Sequence, residues 1–149
     1  MIASLRSHLC AGRRIYGEGG GAAYLCQQME TPSGEFRRMA GILPAVARWL
    51  REPAAPAPTE LRLSHATWLG SAGRLLRGYR NSHWNFLPID DCSSTATDEA
   101  DHLGLLGCFQ AIGSPIHLDF AADPCCLRHL FCPVRSDVSQ RYPFAMPLR

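Results

Sequence analysis

Valine is nearly missing from this chain. Only Val46, Val134 and Val138 occur in 149 residues, and leucine carries most of the aliphatic content. This scarcity constrains the fold because strands draw on β-branched side chains whose stiff χ1 suits a pleated surface, whereas leucine is a good helix former. Leu, Ile, Val and Phe together make up 33 of the 149 residues, little above the roughly 20% at which chains stop forming a packed core. Thirteen Gly and eleven Pro interrupt the sequence often. The expectation is a mainly α, small and marginally ordered protein with short helices, at most one or two short strands and irregular Gly/Pro-rich connections.

All fifteen basic side chains are arginine and none is lysine. Lysine codons are A-rich, while those of Arg, Ala, Gly and Pro are GC-rich, so a GC-rich coding region accounts for the bias before any function does. The charge is uneven. Eleven Arg and five acids precede Asn81, whereas four Arg and eight acids follow Arg80. An Arg-rich first half of this kind suits a protein or anionic partner, either nucleic acid or a membrane surface. No run approaches the roughly eighteen apolar residues of a membrane span, and Met1 to Gly12 lacks the apolar core of a secretory signal. Seven cysteines without such a signal point to a reducing compartment, cytoplasmic or nuclear. Arg6, Arg13 and Arg14, with Ser4 and Ser7 and no acid before Glu18, make a mitochondrial location the alternative.

Three regions follow from the punctuation. Residues 1–52 form an Arg-rich segment with short helices, expected near 22–30 and 35–51. Residues 53–58, PAAPAP, read as an extended linker. Residues 59–149 form a helical region with an acidic middle. The strongest periodicity lies there: Leu61, His65, Trp68, Ala72, Leu75 and Tyr79 recur at helical spacing, predicting a helix from Glu60 to Arg80 that Thr59 caps. A second helix is expected from Thr97 to Gly113, its first turn holding Asp98, Glu99 and Asp101 and its stripe formed by Leu105, Phe109 and Ile112. Ile116–Phe120 alternates as a strand, and Asp123-Pro124 opens a short helix that Cys132-Pro133 closes.

Four groups of residues invite a chemical reading. Arg74, Arg77 and Arg80 beside Trp68 would line a basic amphipathic helix able to grip phosphate or a partner. Cys125, His129 and Cys132 share one face of the short helix, with Cys126 beside them and His117 and Asp119 on the strand before. They have the right chemistry for zinc but lack the usual knuckle spacing, and packing as small apolar residues is the competing role. Gly17-Glu18-Gly19-Gly20-Gly21-Ala22 fits G-x-G-x-x-A, with Glu35 near the ribose-binding position; yet only Ile15-Tyr16 could serve as the preceding strand, so a flexible linker is expected. Ser82, His83, Cys92, Ser93, Ser94 and His102 near Asp90, Asp91 and Asp101 are raw material for catalysis without a recognisable motif. The expectation is therefore a non-enzymatic binding protein acting through an Arg-rich amphipathic helix, without cofactor. The alternatives are the product of a GC-rich reading frame with no evolved function, or a small Cys/His metal-binding protein.

Overall fold

The computed structural model describes residues 1–53, 55–80, 83–89, 94–97, 104–108, 110–122 and 124–132. The chain is built on strands. Its elements run α1 (Ile2–Cys10), β1 (Ile15–Glu18), α2 (Gly20–Leu25), β2 (Cys26–Glu30), β3 (Phe36–Arg38), β4 (Leu43–Trp49), β5 (Ala57–Leu63), β6 (Leu75–Arg80), β7 (Trp84–Pro88), β8 (Ser94–Thr97), β9 (Gly104–Cys108), β10 (Ala111–Ser114), β11 (Ile116–Leu118) and α3 (Pro124–Phe131). Seven strands form one sheet in the order β1-β10-β9-β8-β5-β6-β11, and four form a second in the order β3-β2-β4-β7. The expected mainly α, marginally ordered fold is thereby overturned.

The longer helical expectations fail for local reasons. The Glu60–Arg80 stretch is a hairpin in which β5 pairs antiparallel with β6, Leu61 opposite Leu76 and Thr59 opposite Gly78. Leu61 and Leu63 are fully buried while the intervening Arg62 is exposed, a period of two that the longer helical stripe conceals. Gly73, at a φ of 81°, turns the chain ahead of β6. In 35–51, β4 buries Leu43, Ala45 and Ala47 on alternate positions. Alanine counts toward helix by propensity, but here its small size lets α2, which buries Ala22 and Ala23, sit close. Pro44 falls where the pairing of β4 with β2 shifts register between Cys26 and Gln28, so its missing N–H costs no regular ladder bond. Helix α2 stops at Leu25, and Cys26 is already extended at φ −63° and ψ 171°.

The expected 97–113 helix is replaced by β9 and β10, which pair antiparallel. Its acidic first turn, Asp98 to Asp101, and Phe109 lie outside the described residues. Strand β9 sends consecutive residues to opposite faces: Leu106 joins a core with Leu25, Leu43, Phe86 and Ala111, and Leu105 joins another with Leu61, Leu69, Ile112 and Ile116. These two strands are therefore the wall between two cores, as expected of a sheet covered on both sides. Strand β1, from the Arg-rich segment, runs parallel to β10 in this wall. Residues 57–58 of the Pro/Ala connector belong to β5. The strand expected at Ile116–Phe120 is present over 116–118, and the helix after Asp123 over 124–131.

Truncation separates the hairpin from a helix with a common stripe. Leu61 is wholly buried and Leu75 is 46% exposed, so Leu61→Ala is expected to cost about 2–5 kcal/mol and Leu75→Ala about 0.5 kcal/mol. Urea unfolding of both variants checks this; equal losses would restore the helical arrangement.

Candidate active site

The glycine loop has the strand that its sequence did not advertise. Residues Ile15–Glu18 are extended, Gly20 opens α2, and Gly19 between them stands at φ 49° and ψ −116°. Such a conformation is strained for any residue with a Cβ, by about 1–3 kcal/mol. Its surroundings hold it in place: the Gly19 N–H donates to the Ser114 carbonyl at 3.0 Å, and its own carbonyl accepts from Ala23 N–H at 3.0 Å. Gly17 lies so close to the start of α2 that a Cβ there would meet Leu25 Cδ1 at 2.9 Å and Ala22 N at 3.0 Å. Gly17-Glu18-Gly19-Gly20-Gly21 thus forms a sharp strand-to-helix turn of the G-x-nucleophile-x-G kind, with glycine at the central position.

Beside this turn is a fixed carboxylate–imidazole pair. Glu18 Oε2 lies 2.9 Å from His117 Nδ1, and Glu18 Oε1 accepts from Tyr16 Oη at 2.8 Å and from Leu118 N–H at 2.9 Å. Strand β11 reaches Glu18 because Ser114, opposite Glu18 across the parallel pairing, spans Pro115. Its hydroxyl donates to Ile116 O at 2.6 Å and accepts from Ile116 N–H at 3.1 Å. Facing a carboxylate, His117 Nδ1 carries the proton, which leaves Nε2 as an acceptor. A base oriented by an acid is therefore in place next to the turn, the arrangement of acyl-transfer sites.

Burial governs the neighbouring titratable groups. The Tyr16 phenol is pushed well above its ordinary range by desolvation, reinforced by the Glu18 charge, so it stays a neutral donor. Cys26, at the end of α2, is fully buried and donates to Ala22 O at 3.3 Å; desolvation pushes its thiol up to about 12. It is therefore no source of thiolate near neutral pH.

The other candidates are placed elsewhere. Arg77 and Arg80 lie on β6 and Arg74 in the turn before it, while Trp68 belongs to the second core, so the four do not share a helix face. Arg77 pairs with Glu60 at 2.9 Å on the surface. Cys125, His129 and Cys132 lie on or just after α3, where Cys125 and Cys132 are exposed and His129 Nδ1 meets the Trp68 carbonyl at 3.0 Å. Cys126 donates to Leu69 O at 2.9 Å, binding α3 to the core. Among the described residues no three His, Cys, Asp or Glu side chains converge as a metal site. His83 stacks on Trp49 with ring centroids 4.8 Å apart. Ser94 opens β8. Ser82, Asp90, Asp91, Cys92, Ser93, Asp101 and His102 lie outside the described residues. Sequence reasoning places Glu18 in a linker and His117 in a zinc set; the signal that could have found them is the third glycine of G-x-G-x-G.

No family model matches the chain. It is 27% identical over 141 residues to the cobyrinate a,c-diamide synthase of Salmonella typhimurium, a similarity covering 91% of this chain and 31% of that protein. The chain thus spans under a third of the relative's length. Its fold is similar to a crystal structure of a glutamine amidotransferase, with a TM-score of 0.63 and 16% identity, covering 87% of this chain and 65% of the other. These findings overturn the expectation of a non-enzymatic, disorder-rich arginine binder and its alternatives, an unselected reading frame or a small metal-binding protein. The supposed amphipathic helix is a hairpin, and the proteins similar to this chain are named as enzymes. Among the described residues no helix is long and apolar enough to cross a membrane.

The buried phenol and thiol set an alkaline limit to stability. Both groups hold their protons more tightly when folded, so their contribution is complete below the ordinary values of 9.0 for Cys26 and 10.0 for Tyr16 and is lost as pH rises beyond them. Each such proton makes stability fall by about 1.4 kcal/mol per pH unit. Denaturation midpoints should therefore decline from pH 9 to 11, and Tyr16→Phe should lessen the decline above pH 10. A variant as steep as the parent would contradict this burial.

Proposed function

We propose that this chain is an amidotransferase-type domain that receives a carboxamide, of the class represented by the glutamine side chain, at the Gly19 turn. The observation that supports it is the His117–Glu18 pair, at 2.9 Å, on a strand-to-helix turn within a chain similar to a diamide synthase along 91% of its length. One comparison protein is named for making a diamide and the other for transferring an amide. Both names concern the nitrogen of a carboxamide.

Chemistry at such a group needs a proton carrier, because an amide nitrogen leaves well only as a protonated species. His117 Nε2 has that role, and Glu18 fixes the ring and stabilises the imidazolium formed when Nε2 takes a proton. Because the chain spans 31% of the synthase, the acceptor of the nitrogen belongs to a further domain or partner. Free thiols at Cys10, Cys26, Cys125, Cys126 and Cys132 suit a cytoplasmic or nuclear location, with mitochondria as the alternative.

Titration of ¹⁵N-labelled protein with L-glutamine tests the reading. Saturable shifts are expected at Glu18, Gly19, Gly20 and His117, with L-glutamate weaker by about tenfold, and Glu18→Gln should weaken glutamine binding by a similar factor. A folded protein without saturable shifts around Gly19 would refute the proposal.

A further inference from the structure

We propose that the Gly19 turn is a complete nucleophile elbow whose central position holds no nucleophile, so that an acyl–enzyme intermediate cannot form at residue 19 and a cysteine placed there would complete the site. The carboxamide substrate assumed below rests on the function proposed above; the elbow rests on geometry alone.

Three observations support it. First, the backbone is that of an elbow: strand β1, a central residue at φ 49° and ψ −116°, then helix α2, with Gly17 pressed against the helix start. Elbows accept such strain to lift one side chain clear of the backbone, and glycine, having none, gains nothing from it. Second, an imidazole and a carboxylate are paired beside the turn. His117 is oriented through Nδ1 by Glu18, the residue immediately before the turn, leaving Nε2 to take a proton. Third, the thiol at the end of α2 is no substitute, because Cys26 is fully buried with its Sγ committed to the Ala22 carbonyl at 3.3 Å.

In a Gly19→Cys variant the steps balance. The thiol passes its proton to His117 Nε2 and sulfur adds to the carboxamide carbon. The C–N bond breaks as His117 returns the proton to nitrogen, which leaves as ammonia. Water then cleaves the thioester, giving a carboxylic acid and the free thiol.

Gly19→Cys and Gly19→Cys/His117→Ala are compared with the parent, using peptide mapping after iodoacetamide treatment across pH 5–9 and ammonia release from L-glutamine. The introduced thiol is expected to alkylate at neutral pH at least about tenfold faster than the exposed Cys125, and to lose that advantage in the double variant. Ammonia release should exceed the parent's by about 100-fold or more. A folded variant whose introduced thiol reacts no faster than Cys125, with or without His117, would overturn the elbow. An introduced thiol that is reactive and dependent on His117, but without glutamine turnover, would keep the elbow and refute the carboxamide reading instead. Should the variant fail to fold, the parent decides: intact mass after exposure to a chloroketone analogue of glutamine should show no adduct on residues 15–30, and an adduct there would overturn the proposal.

Discussion

Helix α2 belongs to a core in which small side chains are frequent. Ala22 and Ala23 on the helix, Ala45 and Ala47 on β4 and Ala111 on β10 are all completely buried. Methyl groups facing methyl groups let a helix approach a strand layer closely, and interiors at crystal-like density leave no slack for larger groups. That approach brings the end of β1 against the end of β10, Glu18 opposite Ser114. From this one contact follow the hydrogen bond that holds the Gly19 turn, the serine bridge across Pro115, and the return of β11 to place His117 beside Glu18. The site is thus a consequence of packing, with its acid and base ninety-nine residues apart in sequence.

The charge distribution, by contrast, has little hold on the fold. Glu60 and Arg77 meet at 2.9 Å across the hairpin, but both are mostly exposed, and such pairs contribute at most about 1 kcal/mol. Arg14 illustrates the more useful mode for this arginine-rich chain. Its guanidinium lies 5.7 Å from the Trp68 ring centroid and donates to the His129 carbonyl near the end of α3, so its stem and charge both close a helix end. Arginine therefore serves here as packing material and as a cap, which composition alone presents as a basic patch.

What the sequence reveals is alternation, where it is short and undisturbed. Ile116-His117-Leu118 reads as a strand because no longer period competes with it. Leu61 to Tyr79 reads as a helix because two strands and the turn between them accidentally space their apolar residues by three and four. The decisive signal lies in Gly70, Gly73 and Gly78, which oppose a helix and suit a hairpin. Ala45, Ala47 and Ala111 mislead for a different reason: local propensity favours helix, and a tertiary requirement for small volume prevails. Glu18 and His117 cannot be paired from sequence, since no periodicity links two side chains that meet from strands ninety-nine residues apart. The third glycine of the loop is legible, but its meaning depends on recognising Ile15–Glu18 as a strand.

Both carboxylate oxygens of Glu18 have partners. Oε1 is held by the Tyr16 hydroxyl and the Leu118 N–H, and Oε2 faces His117. Of these groups the Leu118 N–H has only a hydrogen to offer, while the Tyr16 hydroxyl and the imidazole can each donate or accept. Tyr16, kept neutral by burial, remains a donor rather than a competing anion. When the His117 Nδ1–H donates to Glu18 Oε2, Nε2 keeps its lone pair. The backbone, acid and base thus impose a direction on proton transfer, whichever nucleophile the carboxamide meets.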